Sequence, residues 1–247
     1  MIITSAENPK IAEVKKLTEK KFRKSTGLYL IEGERLVRDA MRYGAEITEI
    51  FVKESAINKF SFANQIEVAD KVFMKISDTV SSQGVVAVVK KREIDLTPPQ
   101  GNCLILDGLQ DPGNVGTLLR TAAACGFTDV YAVDTVDLYS PKVLRSAMSA
   151  HFCARLHEHN NLQTVFELLD GYEVVAADMG GKNLFETTFK RKVALILGNE
   201  GNGISEVSKN RADTVVALPM KNDVESLNVA VAGSVIMYGI LQNTLTE

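Results

Sequence analysis

The sequence predicts an α/β chain in two parts, the second built on a parallel sheet with helices on both faces. Three observations carry this. Short runs rich in β-branched residues alternate with stretches whose apolar positions recur every three to four residues. In the second half those runs are apolar at successive positions, as strands covered on both faces are. Between the halves, Thr97-Pro98-Pro99-Gln100-Gly101 excludes regular structure, so 97–101 reads as a linker between domains 1–96 and 102–247.

In chain order, Ile11, Val14 and Leu17 recur at helical spacing, which predicts one helix over 10–22. Tyr29-Leu30-Ile31 reads as a strand. Residues 34–43 read as a helix with Leu36, Val37, Ala40 and Met41 inward, stopped by Gly44. Strands follow at 47–52 and 85–89. Beyond the linker, Leu104-Ile105-Leu106 is a fully apolar strand, and a helix runs from about Val115 to Cys125, closed by Gly126. Further strands are expected at 130–133, 174–177, 193–197 and 215–218. Ser140-Pro141 reads as an N-cap and first helical residue, and 229–241 reads as an apolar helix with a small-residue seam at Ala232 and Gly233.

Composition narrows the class. The 247 residues include 45% hydrophobic and 24% charged residues with a formal net charge of −3, which excludes a disordered, collagen-like or disulfide-rich chain. That charge also argues against indiscriminate nucleic-acid binding. The average hides an asymmetry: residues 1–100 carry 17 basic and 14 acidic side chains, the rest 11 and 17. Lys10, Lys15, Lys16, Lys20, Lys21, Arg23 and Lys24 face only Glu7, Glu13 and Glu19. They read either as a surface that tracks phosphates or as a solvated face with Glu/Lys pairing. Cys103, Cys125 and Cys153 are unclustered and read as reduced core cysteines. The N-terminus lacks a signal sequence, and Val229–Leu241 is too short to span a bilayer. A cytoplasmic protein without membrane contact is expected.

Three loops follow strand C-terminal ends, where open parallel sheets bind ligands. In 107–120 Asn114 is placed to cap a helix, and Arg120 lies within its first two turns, where a cation opposes the helix dipole. In 195–203 three glycines allow close backbone approach, and Glu200 among them needs a partner or a function. In 218–228 Ser226 or Asn228 can cap the helix that follows. His157-x-His159 lacks a third ligand for a metal, so the three histidines read as solvated and no metal is expected.

Together the segments DPGNVGTLLRTAAACGF (111–127), LILGNEGNGIS (195–205) and LPMKNDVESLNVAVAGSV (218–235) resemble, in order and spacing, the three signature motifs of the SpoU/TrmH family of the SPOUT class. Upstream, YLIEGERLVRDAMRYG (29–44) and VSSQGVVAVVK (80–90) resemble its N-terminal, ribosomal-protein-like RNA-binding domain. The resemblance implies a C-terminal SPOUT domain with a deep trefoil knot, a homodimer, and transfer of a methyl group from S-adenosylmethionine to a ribose 2′-hydroxyl of RNA. Ribosomal RNA of the 23S type is the substrate expected, with tRNA methylation or a non-catalytic RNA-binding or ribosome-assembly role as alternatives. By motif matching the resemblance also implies catalytic positions at Arg120, Asn114, Glu200, Ser226 and Asn228. It implies a cofactor pocket at Leu197, Gly198, Gly201, Leu218, Met220 and Leu227. Arg120 is either the base that accepts the hydroxyl proton or, since a guanidinium titrates above about 12, a phosphate anchor. Glu200 and Asn114 are expected to orient it, while Ser226 and Asn228 position the loop and the ribose. Two positions depart from the pattern: Asn222 stands where glycine is usual and Ala230 where serine is common.

Overall fold

The computed structural model describes residues 2–189, 192–222 and 225–245. The chain divides into two compact units, Met1–Glu93 with Tyr139–Leu144, and Ile94–Leu138 with Arg145–Glu247.

In the first unit, α1 (Pro9–Lys16) and α2 (Lys20–Thr26) replace the single helix expected over 10–22. Leu17 caps α1, and Glu19 adopts extended angles before α2 starts. Arg23, 4% exposed, reaches back to donate to the Leu17 carbonyl at 2.7 Å, so it is a bracket between the helices rather than part of the basic surface. The remaining elements are β1 (Leu28–Glu32), α3 (Glu34–Arg42), β2 (Ile47–Lys53), β3 (Ile66–Val68), α4 (Asp70–Phe73) and β4 (Val85–Lys90). The strands form one sheet in the order β1-β4-β2-β3. Ile11, Val14, Leu17, Phe51, Val68 and Phe73 pack its core. Met41, expected inward on α3, is exposed instead, at the end of the buried stripe made by Leu36, Val37 and Ala40.

The later elements are β5 (Cys103–Asp107), α5 (Pro112–Ala124), β6 (Asp129–Val133), α6 (Pro141–Ala147), α7 (Ala150–Cys153) and β7 (Arg155–His159). They continue with α8 (Leu162–Phe166), β8 (Glu173–Asn183), β9 (Val193–Gly198), α9 (Glu206–Arg211), β10 (Thr214–Ala217) and α10 (Val229–Leu245). Every pairing in the sheet is parallel and the order is β10-β8-β9-β5-β6-β7, as the continuous apolar runs required. Asp107 and Gly198 end adjacent strands in register, which brings the first two motif loops side by side.

Residues 97–101 have no regular structure, yet their backbone is held. Tyr131 donates to the Thr97 carbonyl at 2.7 Å, and Tyr172 donates to those of Pro99 and Gly101 at 2.7 and 2.9 Å. The Gln100 amide donates to Asp129 at 3.1 Å. Asp129 is fully buried between Arg155 at 2.6 Å and His157 at 3.1 Å. Burial alone would raise its pKa, but the donors from His157, Arg155 and Gln100 and the Arg155 charge bring it down to about 2. His157 stacks on Tyr131 with ring centroids 4.6 Å apart, and His151 bonds the Leu138 carbonyl. Both are buried, so the reading of all three histidines as solvated is corrected for these two. Cys153 is exposed rather than in a core, at the end of the short α7.

Candidate active site

The first motif loop starts where β5 ends. Gly108 takes a positive φ of 75°, turning the chain towards α5. That helix starts earlier than expected: Asp111 is its N-cap, its carboxylate accepting from the Asn114 amide at 2.9 Å, with Pro112 at the first helical position. Asn114 therefore does not cap. Its side chain is free to point out of the first turn.

The second loop leaves β9 at Gly198, where an added Cβ would sit 2.3 Å from the Gly203 carbonyl carbon and the Ile204 nitrogen. Only glycine permits that approach. Asn199 and Gly203 bond each other's backbone at 2.8 and 2.9 Å, and the Asn199 side chain accepts from Gly201 and Asn202 while donating to the Gly108 carbonyl at 2.9 Å. Glu200 then reaches across to the first loop. One carboxylate oxygen accepts from the Asp111 amide at 3.0 Å and the Asn114 side chain at 3.2 Å, and the other from the Gln110 amide at 3.2 Å. Desolvation pushes the Glu200 pKa up, but these donors and its own amide outweigh it, and the group lies below its ordinary value of 4.5.

The exchange is reciprocal. Asp107, on the first strand, accepts from the Ser205 amide at 2.9 Å and the buried Ser208 hydroxyl at 2.7 Å, both beyond the second loop. Glu200 and Asp107 thus tie the first two motif segments together in both directions. Asp107, Asp111, Asn199 and Ser208 were not picked out in the sequence as site residues. A usable signal existed for Asp107, the one charged residue closing an otherwise apolar strand.

The third loop runs from Leu218 to Asn228, with Asp223 and Val224 outside the described residues. Asn222 adopts φ 58°, the left-handed region that the usual glycine would occupy and that Asn accepts better than most residues. Asn228 caps α10, its side-chain oxygen accepting from Ala230 at 2.9 Å and Val231 at 3.3 Å. The other end of the same amide donates to Asn114 at 2.9 Å. Glu200, Asn114 and Asn228, one residue from each motif, form a continuous hydrogen-bonded chain.

Beside that chain opens a cleft of about 890 Å³. Its wall includes Leu197, Gly198, Glu200, Gly201, Leu218, Met220, Ser226, Leu227 and Asn228, that is, all the expected cofactor positions and three of the five expected catalytic ones. Asn114 touches the wall through Glu200 and Asn228. Ser226 bonds no described side chain. Arg120 is not on the wall: it is exposed on α5 and makes no hydrogen bond or ion pair with a described residue. The expectation that Glu200 and Asn114 orient Arg120 is corrected accordingly, because their polar atoms are engaged with each other, with Asn228 and with the first loop. Asp178, Glu200 and Glu225 line the cleft, with no Lys, Arg or His among the described lining residues. The electrostatics suit a small cationic ligand. Among the described residues no group of three potential ligands assembles to hold a metal.

Comparison with known proteins extends this geometry. The profile of the SpoU rRNA Methylase family matches residues 101–238, and that of the MRM3-like substrate binding domain matches residues 8–87. The chain is 35% identical to the 23S rRNA (guanosine(2553)-2'-O)-methyltransferase RlmP of Bacillus subtilis, over 96% of this chain and 97% of that one. It is 32% identical to the 23S rRNA (guanosine-2'-O-)-methyltransferase RlmB of Bordetella pertussis, over 85% and 95% of the two chains. Among solved structures, an AdoMet-bound rRNA methyltransferase from Sinorhizobium meliloti superposes with a TM-score of 0.88 at 27% identity, covering 98% of this chain and 97% of that one.

Proposed function

The chain belongs to the SpoU rRNA Methylase family, and we propose that it methylates a ribose 2′-hydroxyl of 23S-type ribosomal RNA with S-adenosylmethionine as donor. The observation that carries this reading is the cleft walled by the second and third motif loops, with the Glu200–Asn114–Asn228 chain along its edge. A full-length relative named as a 23S rRNA methyltransferase supports ribosomal RNA over tRNA and over a non-catalytic role.

The residues fit the cofactor. A cleft of about 890 Å³ lies within the usual range of roughly 300–1,000 Å³ for small-molecule sites. Its acidic lining complements a sulfonium cation, and Gly198, Gly201, Leu218 and Leu227 line it. When bound, S-adenosylmethionine supplies an activated methyl group, so the protein's contribution is orientation and electrostatics. Leu197, Met220 and Leu227 give apolar walls. Glu200 and Asn114 hold the three loops in one arrangement, and Asn228 fixes the start of α10 beside them. Ser226, whose hydroxyl meets no side chain among the described residues, is available to a ribose. Arg120, exposed and without a partner among the described residues, offers a permanent cation to the phosphate next to the reacting ribose, where it stabilises the negative charge that develops on the 2′-oxygen as the hydroxyl proton passes to solvent water and the methyl group is bonded.

In this reading residues 1–96 bind RNA, 97–101 link, and 102–247 form the transferase domain with a deep trefoil knot. The match over 8–87 supports the first assignment. The match of the SpoU rRNA Methylase family over residues 101–238 supports the knot. The enzyme works as a homodimer. Val231, Val235 and Tyr238 form an exposed apolar stripe on α10, which supports a second copy there. Thr121 of α5, next in the chain to Arg120, bonds Ser234 in α10 at 2.9 Å. No helix among the described residues is long and apolar enough to cross a membrane. Three free cysteines support a cytoplasmic setting.

Calorimetry with S-adenosylmethionine tests the site. Wild type is expected to bind, and Arg120→Ala to bind equally well while losing at least about a hundredfold in methyl transfer. An Arg120→Ala enzyme with near-normal transfer removes Arg120 from the mechanism, and a wild type that binds no cofactor even with RNA present removes the enzyme reading.

A further inference from the structure

The basic segment at the start of the chain has two readings in the sequence, and the structure separates them. Of its seven cations, Arg23 is buried and engaged internally, and Lys10 pairs with Glu49. The other five, Lys15, Lys16, Lys20, Lys21 and Lys24, are exposed. A self-neutralised helix face would pair them with Glu13 and Glu19. Neither glutamate makes an ion pair with any described residue, and none of the five lysines does either. Five like charges within ten residues repel one another unless an anion attends them.

Two of them are also held in place. The ammonium groups of Lys16, at the end of α1, and Lys21, at the start of α2, lie 5.7 and 5.9 Å from the centroid of the same Phe22 ring. Phe22 itself packs partly on the core of the first unit, so the ring is a fixed post. The Arg23 bond to the Leu17 carbonyl sets the turn between the helices and so the spacing of the two cations.

We propose that the α1–α2 turn is a phosphate clamp for the substrate RNA: Lys16 and Lys21, fixed on Phe22, grip the backbone, flanked by Lys15, Lys20 and Lys24. The proposal rests on the reading of the chain as an RNA methyltransferase and adds the surface that holds the RNA. Its occupant is RNA backbone, because unpaired ammonium groups without base-reading amides recognise charge rather than sequence.

The test uses the full chain and an in vitro transcript of 23S rRNA, with two readouts. In filter binding without cofactor, Lys15/Lys16/Lys20/Lys21/Lys24→Gln is expected to bind at least about tenfold more weakly at 100 mM salt. Its plot of log affinity against log salt should be shallower by roughly 3.5–4.5, at ~0.7–0.9 per phosphate contact. In turnover, KM for RNA should rise at least about tenfold, with kcat within about twofold and S-adenosylmethionine binding unchanged. Phe22→Leu keeps the charges and the packing, so it should weaken RNA binding about threefold to tenfold with little change in slope. Lys59/Lys71/Lys75→Gln, which removes exposed cations elsewhere in the same unit, should behave as wild type. An unchanged slope and KM in the five-lysine variant, or an equal loss in the control, overturns the clamp. If wild type binds the transcript yet transfers no methyl group, the functional reading fails while the salt slope still decides the clamp.

Discussion

Glu200 is the residue on which the site's order depends. It sits among glycines on the second loop and is anchored there by donors from the opposite loop. Glu200→Gln keeps the shape but turns one acceptor into an NH₂ facing a backbone N–H. It is expected to lower kcat/KM about tenfold or more, measured with S-adenosylmethionine saturating. The pH sense follows from the direction of the shift. A lowered folded pKa means the stitching is fully present above the unfolded value near 4.5 and is lost as pH falls through the lower folded value, so it does not shape activity between pH 6 and 8. Asp129 behaves likewise at the other end of the strands. With a folded pKa of about 2 against an ordinary 3.8, its stabilisation is complete above 3.8 and disappears towards pH 2. Asp129→Asn leaves the half-buried Arg155 and the buried His157 without their anion and is expected to cost about 2–4 kcal/mol at pH 7 by denaturant titration. Equal midpoints for variant and wild type would show that the cluster does not secure the backbone at Gln100.

At the scale of elements, the three motif loops are joined by the side chains of Glu200, Asn114 and Asn228, and Gly198 lets the second loop close tightly on itself. Gly198→Ala drives a Cβ to 2.3 Å from the Gly203 backbone, so the loop must move. Overpacking costs of roughly 1–3 kcal/mol translate to a melting-temperature loss of about 2–10 °C. Weaker S-adenosylmethionine binding in calorimetry should accompany it, and unchanged binding would mean the loop does not line the cofactor site. Most strands were legible in the sequence because burial on both faces writes itself as an unbroken apolar run. Four of the six parallel strands, β5, β6, β9 and β10, fall within a residue or two of the expected ends, whereas β7, with its polar run RLHEH, was not expected. Strand β8 runs to Asn183 because pairing with β10 resumes after a register shift at Val215 and Val216, and nothing local announces that. The break between α1 and α2 was illegible because Leu17 continues the apolar period while its backbone closes the helix. At the site, Glu200 and Asn228 were readable as polar residues needing partners. Their link through Asn114 was not, because the cap that frees Asn114 is Asp111, three residues earlier.

At the scale of the molecule, a net charge of −3 divides into a basic first segment and an acidic cleft. The two suit different ligands of one reaction, a polyanion and a sulfonium cation. The weak net charge favours release of the RNA after methyl transfer. The central claim, ribose methylation of ribosomal RNA, is tested most directly by mapping 2′-O-methyl groups across cellular rRNA with and without this protein. One 23S position is expected to lose its methyl group in the protein's absence, to regain it when the wild-type chain is restored, and to stay unmodified with Arg120→Ala. A methylation map identical in the presence and absence of the protein would contradict the account.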